Sequence, residues 1–233
     1  MSNSIMARRA GFLSILQGLL PFIPLAVLGG AINWPDSLDD PASVTLPRLL
    51  ENEGAVRFGY FAYLIYSILF AISMALLTEV VLGKKGGILI RIIIALAIAS
   101  ALARSIGIVR WLMPNFELAN LWEKASSDEQ RYALSVTFET LNSYGGTIGE
   151  ILGVSLFAAI AILLLSIGNM GEKTLPSWFS VFGLISALGL LWTSAEILGV
   201  DPGSIAIFMG TTLVQIWFLV TGFWLVVKSR KFS

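Results

Sequence analysis

Charged residues lie inside or at the edge of the long apolar runs, and any chemistry in this chain is sought first at five of them. Arg104 and Arg110 share one apolar segment, and Glu150 lies in the next. Glu139 precedes that segment, and Glu196 closes a later one. A charge at membrane depth is expensive, faces the bundle interior and needs a partner. Glu150 sits one residue beyond Gly149 in a run where Gly145, Gly149 and Gly153 recur every fourth position. Arg104 sits one residue beyond Ala103 in a matching run of Ala95, Ala99, Ala103 and Gly107. Such small-residue stripes let helices approach backbone to backbone. If the two segments are antiparallel and their stripes face each other, Gly107 meets Gly145, Ala103 meets Gly149 and Ala99 meets Gly153. Arg104 and Glu150 are then expected to pair, roughly 12–15 Å below the outer surface.

Two kinds of chemistry suit that pair. It is either a structural clip that neutralises two buried charges, or the floor of a polar cavity open to the outside. In the second case Arg110, Glu139 and Glu196 extend the cavity, which would take a zwitterionic or amphiphilic ligand or a proton. Catalysis has little to work with. The chain has no His and no Cys, which removes His-ligated zinc, bis-His haem, iron–sulfur clusters, thiol nucleophiles and Ser-His triads. General acid–base chemistry would rest on carboxylates alone. Gly83-Lys84-Lys85-Gly86-Gly87 lacks the phosphate-loop pattern and reads as a basic turn. Asp36, Asp39 and Asp40 match no calcium-loop spacing and read as a solvated turn. We expect no cofactor, no metal and no nucleic-acid partner, the net charge being zero.

These residues need long helices to hold them. Of 233 residues 56% are hydrophobic and only 13% charged, against about a quarter charged in a soluble domain. The apolar residues fall into six blocks long enough to span a bilayer: residues 11–32, 58–82, 88–113, 144–167, 177–198 and 204–227. The first is read as a retained span rather than a signal peptide, whose apolar core is typically about 7–15 residues. Pro21 and Pro24 should kink it. The loop after it contains a short stretch, residues 45–50, expected to lie as a helix on the membrane surface. Ser126-Ser127-Asp128-Glu129 has the form of a capping box, so a helix should begin near Ser127. Unbroken to residue 167 it would be about 60 Å long, so we expect either a bend at residues 142–146 or a helix projecting from the membrane. Gln215 is expected to make an interhelical hydrogen bond, and Glu79 to pair with Lys84 or Lys85. Trp34, Trp111, Trp122, Trp178, Trp192 and Trp224 fall near span ends, as interfacial anchors do.

Six spans place both termini on one side. That side carries Arg8, Arg9, Lys84, Lys85, Arg91, Lys173, Lys228, Arg230 and Lys231; the other carries Arg48, Arg57, Lys124 and Arg131. The excess of basic residues puts both termini in the cytoplasm. The fold class is therefore an all-α integral membrane protein. It is a single transmembrane domain: a six-transmembrane-helix bundle with both termini cytoplasmic and short amphipathic helices in the outer loops.

Ala7-Arg8-Arg9-Ala10-Gly11, leading into the first span, resembles the opening of a bacterial membrane family known as domain-of-unknown-function family 4386. Leu175-Pro176-Ser177-Trp178, followed by Gly183, resembles its later segment, and the six-span layout with a long first outer loop fits as well. The resemblance implies a multi-pass bacterial inner-membrane protein and supplies no catalytic residues. The first functional reading is a non-catalytic accessory or scaffold subunit that docks a partner membrane subunit. The second is a solute-binding or transport module with an outward-facing cavity for a small polar or amphiphilic ligand. The third is an intramembrane enzyme using Glu150 and Arg104.

Overall fold

The computed structural model describes residues 3–232, apart from the side chains of Lys84 and Ser204. Among them are six helices long and apolar enough to cross a membrane. Helices are what such segments must form, because the hydrocarbon offers no partner for an unpaired backbone N–H or C=O.

The first span is two helices. α1 (Asn3–Leu19) stops before Pro21, and α2 (Phe22–Ile32) resumes with Pro24 in its first turn, where the missing N–H costs nothing. The break redirects the chain. α1 packs along both α10 (Ser204–Lys228) and α4 (Glu53–Leu82), whereas α2 continues along α4. α5 (Gly87–Leu112) follows a tight 3-10 turn and runs back along α4. The Lys84 side chain, one expected partner of Glu79, lies outside the described residues. The other, Lys85, pairs with Glu172 at 3.5 Å.

Two short helices cap the end away from the termini. α3 (Ala42–Glu51) and α6 (Pro114–Lys124) pack against each other, and α3 also touches α7 (Asp128–Gly146). α3 was expected to lie on the membrane surface. Instead Leu46 and Leu49 are wholly buried, in a core shared with Leu28, Tyr60, Trp111, Phe116 and Phe138. Arg48 ties the preceding loop down by donating to the Ile32 carbonyl and to Asp40 Oδ2. Trp111 is a core residue, its ring stacked on Tyr60 with centroids 5.1 Å apart, rather than an interfacial anchor.

The helix that begins at Asp128 is not interrupted at residues 142–146. It changes winding just beyond them: α7 passes into a π-helix (Thr147–Ala158), and this into α8 (Ala159–Glu172). The whole run has 45 residues, about 67 Å at α-helical rise, twice the hydrocarbon thickness of a bilayer. Only Phe138 and Gly145 of α7 are buried. Its capping box is shifted by one residue from expectation. The Gln130 N–H donates to Ser127 Oγ, and the Ser126 N–H donates to Gln130 Oε1. The hairpin from α8 to α9 (Ser177–Thr193) is closed by Asn169. Its amide accepts from the Leu175 N–H and donates to the Leu175 carbonyl and to Ser180 Oγ.

Two hydrophobic cores result. One, at the end holding the termini, gathers Phe70, Met74, Ile93, Ile162, Phe179, Trp217 and Phe218; the other lies under α3 and α6. Between them each of four helices turns polar: Ser14 and Gln17 on α1, Tyr66 and Ser67 on α4, Ser100 and Arg104 on α5, Gln215 on α10. All but Gln215, which is half-buried, are buried.

Candidate functional site

The site is built where α5 meets the π-helix. A side chain on Gly107 would place its Cβ 2.8 Å from both the Gly145 carbonyl oxygen and Gly149 Cα. One on Gly153 would place it 2.8 Å from Arg104 Cγ and 3.3 Å from Ala103 Cβ. The two stripes thus face each other, slid by part of a turn from the pairing expected, with Gly107 against both Gly145 and Gly149. Further along α5 the contact leaves the stripe. An every-fourth-residue line drifts about 40° round an α-helix at each step. Ala99 is therefore only half-buried and Ala95 is exposed, while Ser100 donates to the Gly153 carbonyl at 2.7 Å.

That slide changes which arginine meets Glu150. The expected Arg104–Glu150 pair does not form; Arg110 Nη2 stands 3.5 Å from Glu150 Oε1. Arg110 is only 7% exposed, and its other nitrogens are committed. Nη1 donates to the Gly107 carbonyl at 2.8 Å, and Nε to Asn142 Oδ1 at 3.2 Å. Gly145 makes room for it, since a Cβ there would come 2.6 Å from Arg110 Cδ. The carboxylate is the open partner, with 58% of the Glu150 side chain exposed on the surface of the bundle. Asn142 was missed in the sequence. The signal was available: it lies three residues before Gly145, on the same face of the rod.

Arg104 lies two turns deeper on α5, about 9 Å along the axis. It is 5% exposed, and its guanidinium rests over the rings of Tyr66 at 4.7 Å and Phe70 at 5.1 Å. Neither Nε nor Nη1 has a hydrogen-bond partner among the described residues. Tyr63, stacked on Tyr66, lies within electrostatic reach of both arginines and of Glu150. Glu139 is exposed on α7 and stays apart from this group. Glu196 is exposed on the 3-10 turn after α9 (Ser194–Leu198), near enough to act on Glu150 through space. Gln215 does bridge helices, its Nε2 donating to the Tyr66 hydroxyl at 2.8 Å. Two shallow surface depressions lie elsewhere. One is an open groove of about 400 Å³ along Val136, Thr137, Thr140, Leu141 and Tyr144; the other lies between Lys173 and Phe232.

The family model described as "Domain of unknown function (DUF4386)" matches residues 10–229. The chain belongs to this family. That description names no activity, and the class of protein comes from the six long apolar helices. Within it, this chain is a multi-pass membrane protein with an Arg110–Glu150 salt bridge between its third and fourth spans. No curated protein and no solved structure matched the chain.

Proposed function

We propose that this family member is a non-catalytic accessory or scaffold subunit of a bacterial inner membrane, with both termini in the cytoplasm, one transmembrane domain and α7 as its docking arm. The observation that carries this reading is the face of α7. Tyr132, Val136, Thr140 and Tyr144 recur every fourth residue along this helix, and all four are exposed. Tyr132 is 73% and Tyr144 67% exposed. Aromatic rings presented on a rigid rod bind with little loss of side-chain freedom. The deep pair on α5 and the π-helix supports the same reading, because Arg110 is spent on packing rather than turned toward a cavity.

The test is photo-crosslinking from residues 132 and 144 in native membranes, followed by native mass spectrometry of the gently extracted protein. A single crosslinked membrane partner, retained in fixed stoichiometry, is expected. A bare monomer with no crosslink from either position would overturn the reading. The second reading, a binding module for an amphiphilic ligand, is favoured by one observation of its own: the unsatisfied guanidinium of Arg104.

A further inference from the structure

The end of the bundle that holds the termini is strongly basic. Its nine lysines and arginines stand against two acidic side chains, Glu79 and Glu172. Lys85 takes Glu172 at 3.5 Å, an ion pair that joins the α4–α5 turn to the α8–α9 turn. Little negative charge is left for the other cations at this end.

Two of those cations line one shallow depression of about 320 Å³. Lys173 and Lys231 form its wall together with Thr174, Pro176 and Trp224. Both lysines are exposed, and among the described residues neither ammonium has a hydrogen-bond or ion-pair partner. No carboxylate lines the depression. Its parts are held in place from both sides. Asn169 fixes the turn that carries Lys173 and Thr174 through its bonds to Leu175 and Ser180. On the other side Phe232 meets Trp224 edge-on, with ring centroids 6.3 Å apart. That contact folds back the 3-10 turn after α10 (Ser229–Phe232), which also packs on α1 and carries Lys231.

Lys173 is the more telling of the two. It ends α8 in the left-handed region at φ 53°, a conformation ordinarily left to Gly or Asn. A lysine there strains the backbone where glycine would not, and what it adds is a charge at the rim of the depression. The C-terminal end of α8 favours a nearby cation, which accounts for Lys173 but not for a second lysine brought to the same opening from α10.

We propose that this depression binds the phosphate of an anionic phospholipid. Ammonium groups with an added hydroxyl suit a phosphate, and basic pockets between spans take lipid headgroups. Trp224 has the amphipathic ring that belongs at headgroup level. Val220 and Val227, one turn to either side of it on α10, are exposed and give an acyl chain an apolar wall to lie on. A shallow opening also suits a headgroup that arrives in the plane of the membrane. The site lies at the opposite end of the bundle from α7, and either reading can fail without the other.

The experiment uses the full chain in an uncharged detergent. Phosphatidylglycerol is the anionic probe, phosphatidylcholine with the same acyl chains the zwitterionic control, and glycerol phosphate and inorganic phosphate the soluble anions. Native mass spectrometry counts bound copies, and thermal unfolding reports the stabilisation. One phosphatidylglycerol per chain is expected at concentrations where phosphatidylcholine does not bind. Lys173→Asn suits the left-handed turn, so the lipid-free protein should be at least as stable as the parent. Lipid binding should nevertheless weaken about fivefold in Lys173→Asn, about fivefold in Lys231→Gln and about thirtyfold in the double variant. Arg8→Gln with Arg91→Gln removes the same charge from the same end but outside the depression, and should leave binding unchanged. If the soluble anions bind as tightly as phosphatidylglycerol, the phosphate site stands and its ligand is a soluble phosphate. The proposal is overturned if no phosphate compound binds saturably or if phosphatidylcholine binds as tightly as phosphatidylglycerol. It is overturned equally if the arginine pair of substitutions weakens binding as much as the lysine pair.

Discussion

Arg110 lies across Gly145: its Cδ stands 2.6 Å from where a Cβ on that glycine would be, and its guanidinium reaches on to Glu150 at 3.5 Å. The glycines of this stripe therefore do two different jobs. Gly149 lets backbone meet backbone at Gly107, whereas Gly145 makes space for a side chain.

The first prediction follows from that division. Gly107→Ala sets a methyl against a carbonyl oxygen and a Cα that cannot move apart without separating α5 from the π-helix. It should cost about 1–3 kcal/mol, the range for overpacking. Gly145→Ala meets a flexible side chain and should cost less. Gly171→Ala, with nothing within 4 Å of its Cβ, should be neutral or slightly stabilising. Thermal unfolding of the three variants in one detergent gives the order, and a Gly171→Ala loss matching Gly107→Ala would refute it.

The second concerns the asymmetry of the ion pair. Arg110 is buried and holds the Gly107 carbonyl and Asn142 as well as Glu150, while Glu150 is largely exposed. Arg110→Gln should lose about 2–3 kcal/mol, as expected for charge-assisted hydrogen bonds. Glu150→Gln keeps a carbonyl acceptor for Arg110 and takes a charge off the outer face of a membrane-spanning helix, so it should lose less. Equal losses in thermal unfolding would mean that the carboxylate matters as much as the guanidinium.

A third prediction addresses the α8–α9 hairpin. Asn169→Ala removes all three hydrogen bonds that close it. The expected loss is about 2–3 kcal/mol, with faster thiol labelling of a cysteine placed at Thr174. Labelling unchanged from the Asn169 parent would show that backbone turns alone close the hairpin.

The fourth tests orientation and takes advantage of the absence of cysteine from the chain. In intact cells a single cysteine at Ser126 should react with a membrane-impermeant maleimide. One at Ser229 should react only after the membrane is opened. The reverse pattern would invert the bundle.

Much of the architecture was legible in the residues. The six spans follow from apolar length, the break at Pro21 from the missing N–H, and the start of α7 from Ser127. The meeting of the two small-residue stripes was legible too, but the register was not. Simple spacing set Gly107 against Gly145 and so gave Glu150 to Arg104, whereas the helices slide until Gly107 reaches Gly149 and Glu150 meets Arg110. Nothing in a pattern of small residues distinguishes two alignments offset by part of a turn. The π-helix was equally hidden, because its i→i+5 bonding leaves no local signature among Thr147, Ile148 and Gly149. α3 misled for a related reason. An amphipathic helix looks the same whether its apolar face meets lipid or, as here, the roof of a protein core.

The packing of α1 along α10 also bears on how the molecule is made. Gly11 and Gly18 of the first helix lie against Gly222 and Leu219 of the last. During synthesis the first span therefore has no permanent neighbour on that side until the sixth has been inserted. Its buried Ser14 and Gln17 wait in lipid or borrow passing partners meanwhile. A chain truncated before residue 204 would leave that seam open for good, with bare glycine backbone and two polar side chains on its rim. The bundle is thus closed by the latest-made of its six spans, and a copy without that span leaves the glycine face of α1 uncovered.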